Sequence, residues 1–75
     1  MNENLYNILI IDDHPIVTDG LETLLGTHIQ AHYTKTNDLN TLKQVLTGTD
    51  FNLCITDLEF PGTDGFNLIR MIHEH

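Results

Sequence analysis

The sequence is short of positive charge, of cysteine and of long apolar runs, and each shortage removes a class of function. Three Lys and Arg stand against eleven Asp and Glu, a formal net charge of −8, which disfavours direct binding of this chain to nucleic acid or to an anionic membrane surface. Cations and basic partners suit that charge better. The single cysteine, Cys54, leaves no internal disulfide to form. No apolar run is long enough to span a bilayer, and no charged-then-apolar signal segment starts at Met1. A reducing cytoplasm is the expected setting. Internal repeats, linkers and low-complexity stretches are also missing, so residues 1–75 are expected to form one domain. A domain of this size buries only roughly 60% of the surface its unfolded chain exposes, so its core is small.

What is present alternates regularly. Residues 5–11, LYNILII, are nearly all apolar and stop at Asp12-Asp13, the pattern of a strand buried on both faces. Pro15 suits a first helical turn, and Val17, Leu21, Leu24 and Leu25 then predict a helix over 15–26, weakened by Gly20. Ile29, Ala31 and Tyr33 alternate with Gln30 and His32, which predicts a short edge strand over 28–34. Asn37 or Asp38 can cap a second helix carrying Leu39, Leu42, Val45 and Leu46, with Gly48 placed for a left-handed C-terminal residue. FNLCIT, residues 51–56, reads as a third strand ending at Asp57. After the turn LEFPGT, Asp64 is placed to cap a helix carrying Phe66, Ile69 and Ile72. Strand and helix alternate three times, which calls for an α/β fold with parallel strands and right-handed crossovers.

Functional groups in an open parallel sheet gather beyond the carboxyl ends of its strands, where strand order reverses. Asp12, Asp13 and Asp57 all fall there. If the first and third strands are neighbours, the three carboxylates converge although Asp57 lies 44 residues beyond Asp13. Their mutual repulsion calls for a positive partner, and a hard divalent cation with oxygen ligands, most naturally Mg2+, suits the site. The remaining acidic residues read as bland: Asp19, Glu22, Asp38 and Asp64 as caps or solvated groups. His28 and His32 are four apart across a predicted strand, where that spacing has no helical meaning, so they are not assigned a metal. His14 reads as an exposed neighbour of the acidic pair, Cys54 as a small buried residue, Tyr33 as packing at the sheet edge, and His73 and His75 as having no special role.

ILIIDDHPIVTDGL, residues 8–21, followed by CITDLEFPGTDGFNLIR, residues 54–70, resembles the receiver domain of bacterial two-component response regulators. The resemblance covers essentially the whole chain. It rests on an acidic pair after the first strand combined with D-L-x-x-P-x-x-D-G after the third, and the DDHP-x-V-x-x-G-L form is most like receivers that precede a helix-turn-helix DNA-binding domain. The resemblance implies a flavodoxin-like, receiver-like open parallel sheet, partial, with three βα units in strand order 2-1-3. It implies Asp57 as acceptor of a phosphoryl group from a sensor histidine kinase. Asp13, Asp57 and the backbone carbonyl of Glu59 would coordinate Mg2+, with Asp12 acting through a bound water. Pro61 and Gly62 would shape the loop that presents Glu59.

Family receivers have five βα units, and these 75 residues hold three. The hydroxyl residue of the fourth strand and the lysine of the fifth are therefore not among them, and neither Lys35 nor Lys43 stands in the lysine's place. Phosphorylation of Asp57 would add about −1.5 to −2 charges with no cation from those units to meet them. In order 2-1-3 the third strand becomes an apolar sheet edge, which predicts self-association or exchange of elements through Leu53, Cys54 and Ile55. Three readings follow. The first is a receiver with an acidic Mg2+ site and no turnover of a small substrate. The second is an interaction module that pairs through the third strand, its acidic pocket vestigial. The third, an enzyme forming an aspartyl phosphate, expects a second Asp two residues after the nucleophile, where Glu59 stands.

Overall fold

In a computed structural model the described residues, 5–74, form three strands and three helices in strict alternation. Met1, on which the signal-segment expectation rests, and His75 lie outside the described residues. Strand β1 (Tyr6–Ile11) is followed by α1 (Pro15–Gly26), β2 (Ala31–Thr36), α2 (Leu39–Gly48), β3 (Leu53–Thr56) and α3 (Gly65–His73). The strands are parallel and ordered β2-β1-β3, the receiver-like order implied by the sequence. The β1-to-β2 and β2-to-β3 connections step in opposite directions, so right-handed crossovers put α1 on one face of the sheet and α2 on the other, and α3 joins α2 in the same core cluster.

β1 is the buried centre. Ile8, Leu9, Ile10 and Ile11 are all 2% exposed or less. Leu9 and Ile11 pack with Leu42 and Leu46 of α2, Leu68 of α3 and Phe60 of the loop after β3. Ile8 and Ile10, on the opposite side of the pleat, face α1. Asp38 caps α2, its Oδ1 accepting the Thr41 N–H at 2.8 Å, and Asp64 caps α3 through the Asn67 N–H, also at 2.8 Å.

Several local expectations are corrected. β2 begins at Ala31 and runs to Thr36, because His28 and Ile29 N–H both donate to the Leu25 carbonyl and prolong the end of α1. Ile29 is held there by the Tyr33 hydroxyl, which donates to its carbonyl at 2.7 Å. β1 and β3 each start later than the apolar text, at Tyr6 and Leu53. Gly48 is the last residue of α2 and not left-handed; Thr49 ends that helix in an extended conformation. On α3 the buried stripe is Leu68 with Met71 and Ile72 packed beside it, whereas Phe66 and Ile69 are exposed. On a 3.6-residue helix Phe66 and Ile69 lie off the face that Leu68, Met71 and Ile72 share, so Ile72 alone of the expected three packs on the core. On α1, Thr18 is buried while Val17 and Leu24 are exposed.

Lys35, paired with Ile10 across β1–β2, reaches α1 and lies 2.7 Å from both Asp19 and Glu22. Those two carboxylates raise its pKa to about 12. These are surface ion pairs, which contribute little because water competes for both partners. Phe60, by contrast, is 1% exposed in the core. Phe60→Ala is expected to cost about 3–5 kcal/mol, and Lys35→Met to leave the urea midpoint nearly unchanged. Urea unfolding of both variants checks this, and comparable losses would contradict it.

Candidate functional site

The ladders of the sheet do not stop with the strands. Asp12 N–H donates to the Thr36 carbonyl at 3.1 Å and Asp57 N–H to the Ile11 carbonyl at 2.9 Å. Each bond extends the parallel pairing one residue past a strand end. They fix Asp12 and Asp57 side by side at the carboxyl edge of β1 and β3. Both aspartates then make the same local turn: Asp12 Oδ1 accepts the His14 N–H at 2.9 Å, and Asp57 Oδ1 accepts the Glu59 N–H at 2.9 Å. A short acidic side chain that bonds the amide two residues on is a turn former in its own right. The chain therefore bends away from the sheet at both places and leaves the carboxylates at its rim.

Asp12, Asp13, His14 and Asp57 can each offer one donor atom such that all lie within 4.8 Å of one another. Three of these are the aspartates expected from the sequence. Glu59 stands next to the group through its N–H bond to Asp57, and its carboxylate is not one of the four donors. His28 and His32 are exposed and take no part in the cluster. Lys35 points to α1 and Lys43 lies on the exposed side of α2, so neither supplies the site with charge.

His14 is the member that the sequence reading set aside. Its side chain is 65% exposed, but Nδ1 lies 2.7 Å from Asp12 Oδ1 and 3.0 Å from Asp13 Oδ1. The hydrogen bond to Asp12, with the negative charges of Asp13, Asp12 and Asp57, raises its pKa above the ordinary 6.5, opposed only by desolvation. No periodicity or burial signal points to it; the ring is placed by the turn in which Asp12 Oδ1 accepts the His14 N–H.

The loop after Asp57 depends on two glycines. Gly62 has φ +93°, which strains any residue with a Cβ, and Leu39 Cδ2 would lie 3.3 Å from that atom. At Gly65 a Cβ would come within 3.0 Å of the Leu58 carbonyl oxygen and 3.1 Å of Leu58 Cβ. The close approach lets α3 start directly over the Asp57 loop, while Phe60 anchors the loop in the core.

Residues 8–75 match the response regulator receiver domain family. The chain belongs to that family. It is 41% identical over 73 residues to a fimbriae Z protein of Salmonella typhimurium, covering 92% of this chain and 35% of the relative. Identity to the fimbriae Z protein of Escherichia coli K12 is 32% over 69 residues, covering 91% and 33%. A two-component response regulator of Oryza sativa subsp. indica is 39% identical over 67 residues, 87% of this chain and 10% of the relative. The chain thus spans about a third of the length of its fimbriae Z relatives. The aspartate cluster at the strand ends is consistent with a receiver active site, and this receiver carries His14 against it. Among the described residues, no helix is long and apolar enough to cross a membrane.

Because the folded state holds the His14 proton more tightly than the unfolded one, the pair stabilises the fold fully below the ordinary pKa of 6.5. That contribution is lost as pH rises through the raised midpoint. In the metal-free protein, NMR titration of His14 is expected to give a midpoint above 6.5, falling back toward it in Asp12→Asn. An unchanged midpoint in the variant would contradict the pairing.

Proposed function

We propose that this receiver accepts a phosphoryl group on Asp57 from the phosphohistidine of a sensor histidine kinase, with Mg2+ held by the acidic cluster. The observation that carries the reading is the convergence of Asp12, Asp13 and Asp57 at the carboxyl edge of β1 and β3. The donor set fits the ion: carboxylate oxygens are the hard ligands that Mg2+ takes, and they lie close enough to share one cation. Asp13, Asp57 and the Glu59 backbone carbonyl would hold it, with Asp12 acting through water. When bound, the ion offsets the charge on the transferred group.

The chain's own part is nucleophilic. A carboxylate oxygen of Asp57 forms the new bond to phosphorus as the bond from phosphorus to the kinase imidazole breaks. The Glu59 N–H holds Asp57 Oδ1, so Oδ2, which takes no hydrogen bond among the described residues, is the oxygen left to attack. Nothing in this step turns over a small substrate, so the chain acts as an acceptor and not as an enzyme. Among the described residues no lysine stands at the site to receive the added charge, and phosphotransfer to these residues alone is expected to be slow. The expected response to acetyl phosphate or a fluoroberyllate mimic with Mg2+ is a change in tertiary NMR signals around the Asp57 loop, absent in Asp57→Asn. Identical behaviour of wild type and variant would overturn the assignment.

A second reading is favoured by the free edge of β3. In its register with β1 the Ile55 and Asp57 N–H groups turn inward, so those of Cys54 and Thr56 turn outward, where no strand pairs with them among the described residues. Leu53 beside them is 47% exposed and borders an apolar concavity of about 380 Å3 lined by Tyr6, Ile8, Ile29 and Asn52. We propose that copies of the chain associate through this edge, as unprotected edges do. Light scattering at micromolar concentration is expected to give a mass above that of the monomer, reduced to the monomer by Leu53→Lys. A monodisperse wild-type monomer would rule the association out.

A further inference from the structure

The receiver reading uses only the oxygen ligands of the cluster, yet one of its four donors is a nitrogen. Nδ1 of His14 stands 2.7 Å from Asp12 Oδ1 and 3.0 Å from Asp13 Oδ1, and the Asp57 donor lies within 4.8 Å of all of them. Ligands at about 2.1 Å from one six-coordinate ion are separated by about 3.0 Å when adjacent and about 4.2 Å when opposite. Nδ1 and Asp13 Oδ1, 3.0 Å apart, have the separation of adjacent ligands on a shared cation, while the 2.7 Å to Asp12 Oδ1 is a hydrogen bond of the metal-free protein, in keeping with Asp12 acting through water. The turn at Asp12, whose Oδ1 accepts the His14 backbone N–H at 2.9 Å, sets the ring against the carboxylates. Pro15, the first residue of α1, limits the chain directly after it.

We propose that His14 is a ligand of the divalent site and makes it favour borderline metals such as Co2+ and Zn2+ over Mg2+. The inference rests on the receiver reading of the aspartates as a cation site and adds its fourth donor. Imidazole nitrogen is a good ligand for Zn and the later first-row metals, whereas Mg2+ prefers oxygen and keeps its waters. Three carboxylates alone would bind by charge. A mixed nitrogen and oxygen set discriminates by ligand type. For Nδ1 to ligate, its lone pair must be free, so the ring proton resides on Nε2 and any proton on Nδ1 passes to water as the metal enters. The ring is 65% exposed, which leaves room for solvent to complete the coordination shell. The imidazole makes no side-chain hydrogen bond to the start of α1, so its removal leaves the helix cap as it is.

The test is calorimetric titration of wild type and His14→Ala with Mg2+, Co2+ and Zn2+, at a pH above the His14 midpoint, with circular dichroism confirming that both fold. Loss of the nitrogen is expected to weaken Co2+ and Zn2+ about tenfold or more, with Mg2+ affinity unchanged or tighter. Co2+ should also shift the His14 ring signals of the wild type by contact through the bound nitrogen. If the variant changes its affinity for all three metals by the same factor, His14 acts only as a neighbouring group and not as a ligand, and the proposal fails. Failure of wild type to bind Mg2+, with Co2+ still lost in His14→Ala, would instead overturn the receiver reading and leave His14 a ligand.

Discussion

Everything at the site depends on the pairing of β3 with β1. Four residues, Leu53–Thr56, lie in register against Ile8–Ile11, and the Asp57 N–H adds one more bond to the Ile11 carbonyl at 2.9 Å. This short ladder joins segments more than forty residues apart in the chain. A slip of one residue would reverse every β3 side chain across the sheet, taking Cys54 out of the core and moving the loop that carries Asp57. The register is held at two points. Cys54 packs on the side of α2 and α3, and Asn7 and Asn52 pin the start of the ladder by exchanging hydrogen bonds of 2.7 and 2.8 Å.

The acidic rim is the cost of that arrangement, since parallel pairing brings strand ends of one polarity to one edge and here those ends carry three carboxylates. In a chain of net charge −8 they add to a field already unfavourable. His14, when protonated, offsets part of this in the metal-free protein, and a bound cation would offset more. The same crowding that opposes folding creates affinity for a positive ion, so the site's function and its strain have one origin. The small core sets how much strain is tolerable, and Phe60, buried from within the functional loop, links the two.

Much of this was legible in the sequence because its signals are local and redundant. LYNILII ending in Asp12-Asp13 announces a buried parallel strand, Asp38 and Asp64 announce helix starts, and the order 2-1-3 follows once the motifs of the receiver family are seen. The failures have physical causes. Phe60 sits in a loop, where no periodicity reports burial. Phe66 and Ile69 are apolar but lie on the solvent side of α3, and composition alone does not distinguish them from Leu68 and Met71. Ile29 alternates correctly with Ala31 and Tyr33 but is claimed by the end of α1 through the Leu25 carbonyl. Exposure gives His14 no signal of a role, whereas its contacts are set by the turn at Asp12 and not by burial.

The central claim is that one register brings Asp12, Asp13 and Asp57 to a single cation. Paramagnetic broadening by substoichiometric Mn2+ reads it most directly. The account predicts that the amide signals of residues 12–14 and 57–59 broaden together and first, while those of Asp38 and Asp64, carboxylates occupied in helix caps, remain sharp. Broadening confined to one of the two segments, or spread over the acidic residues at large, would contradict it.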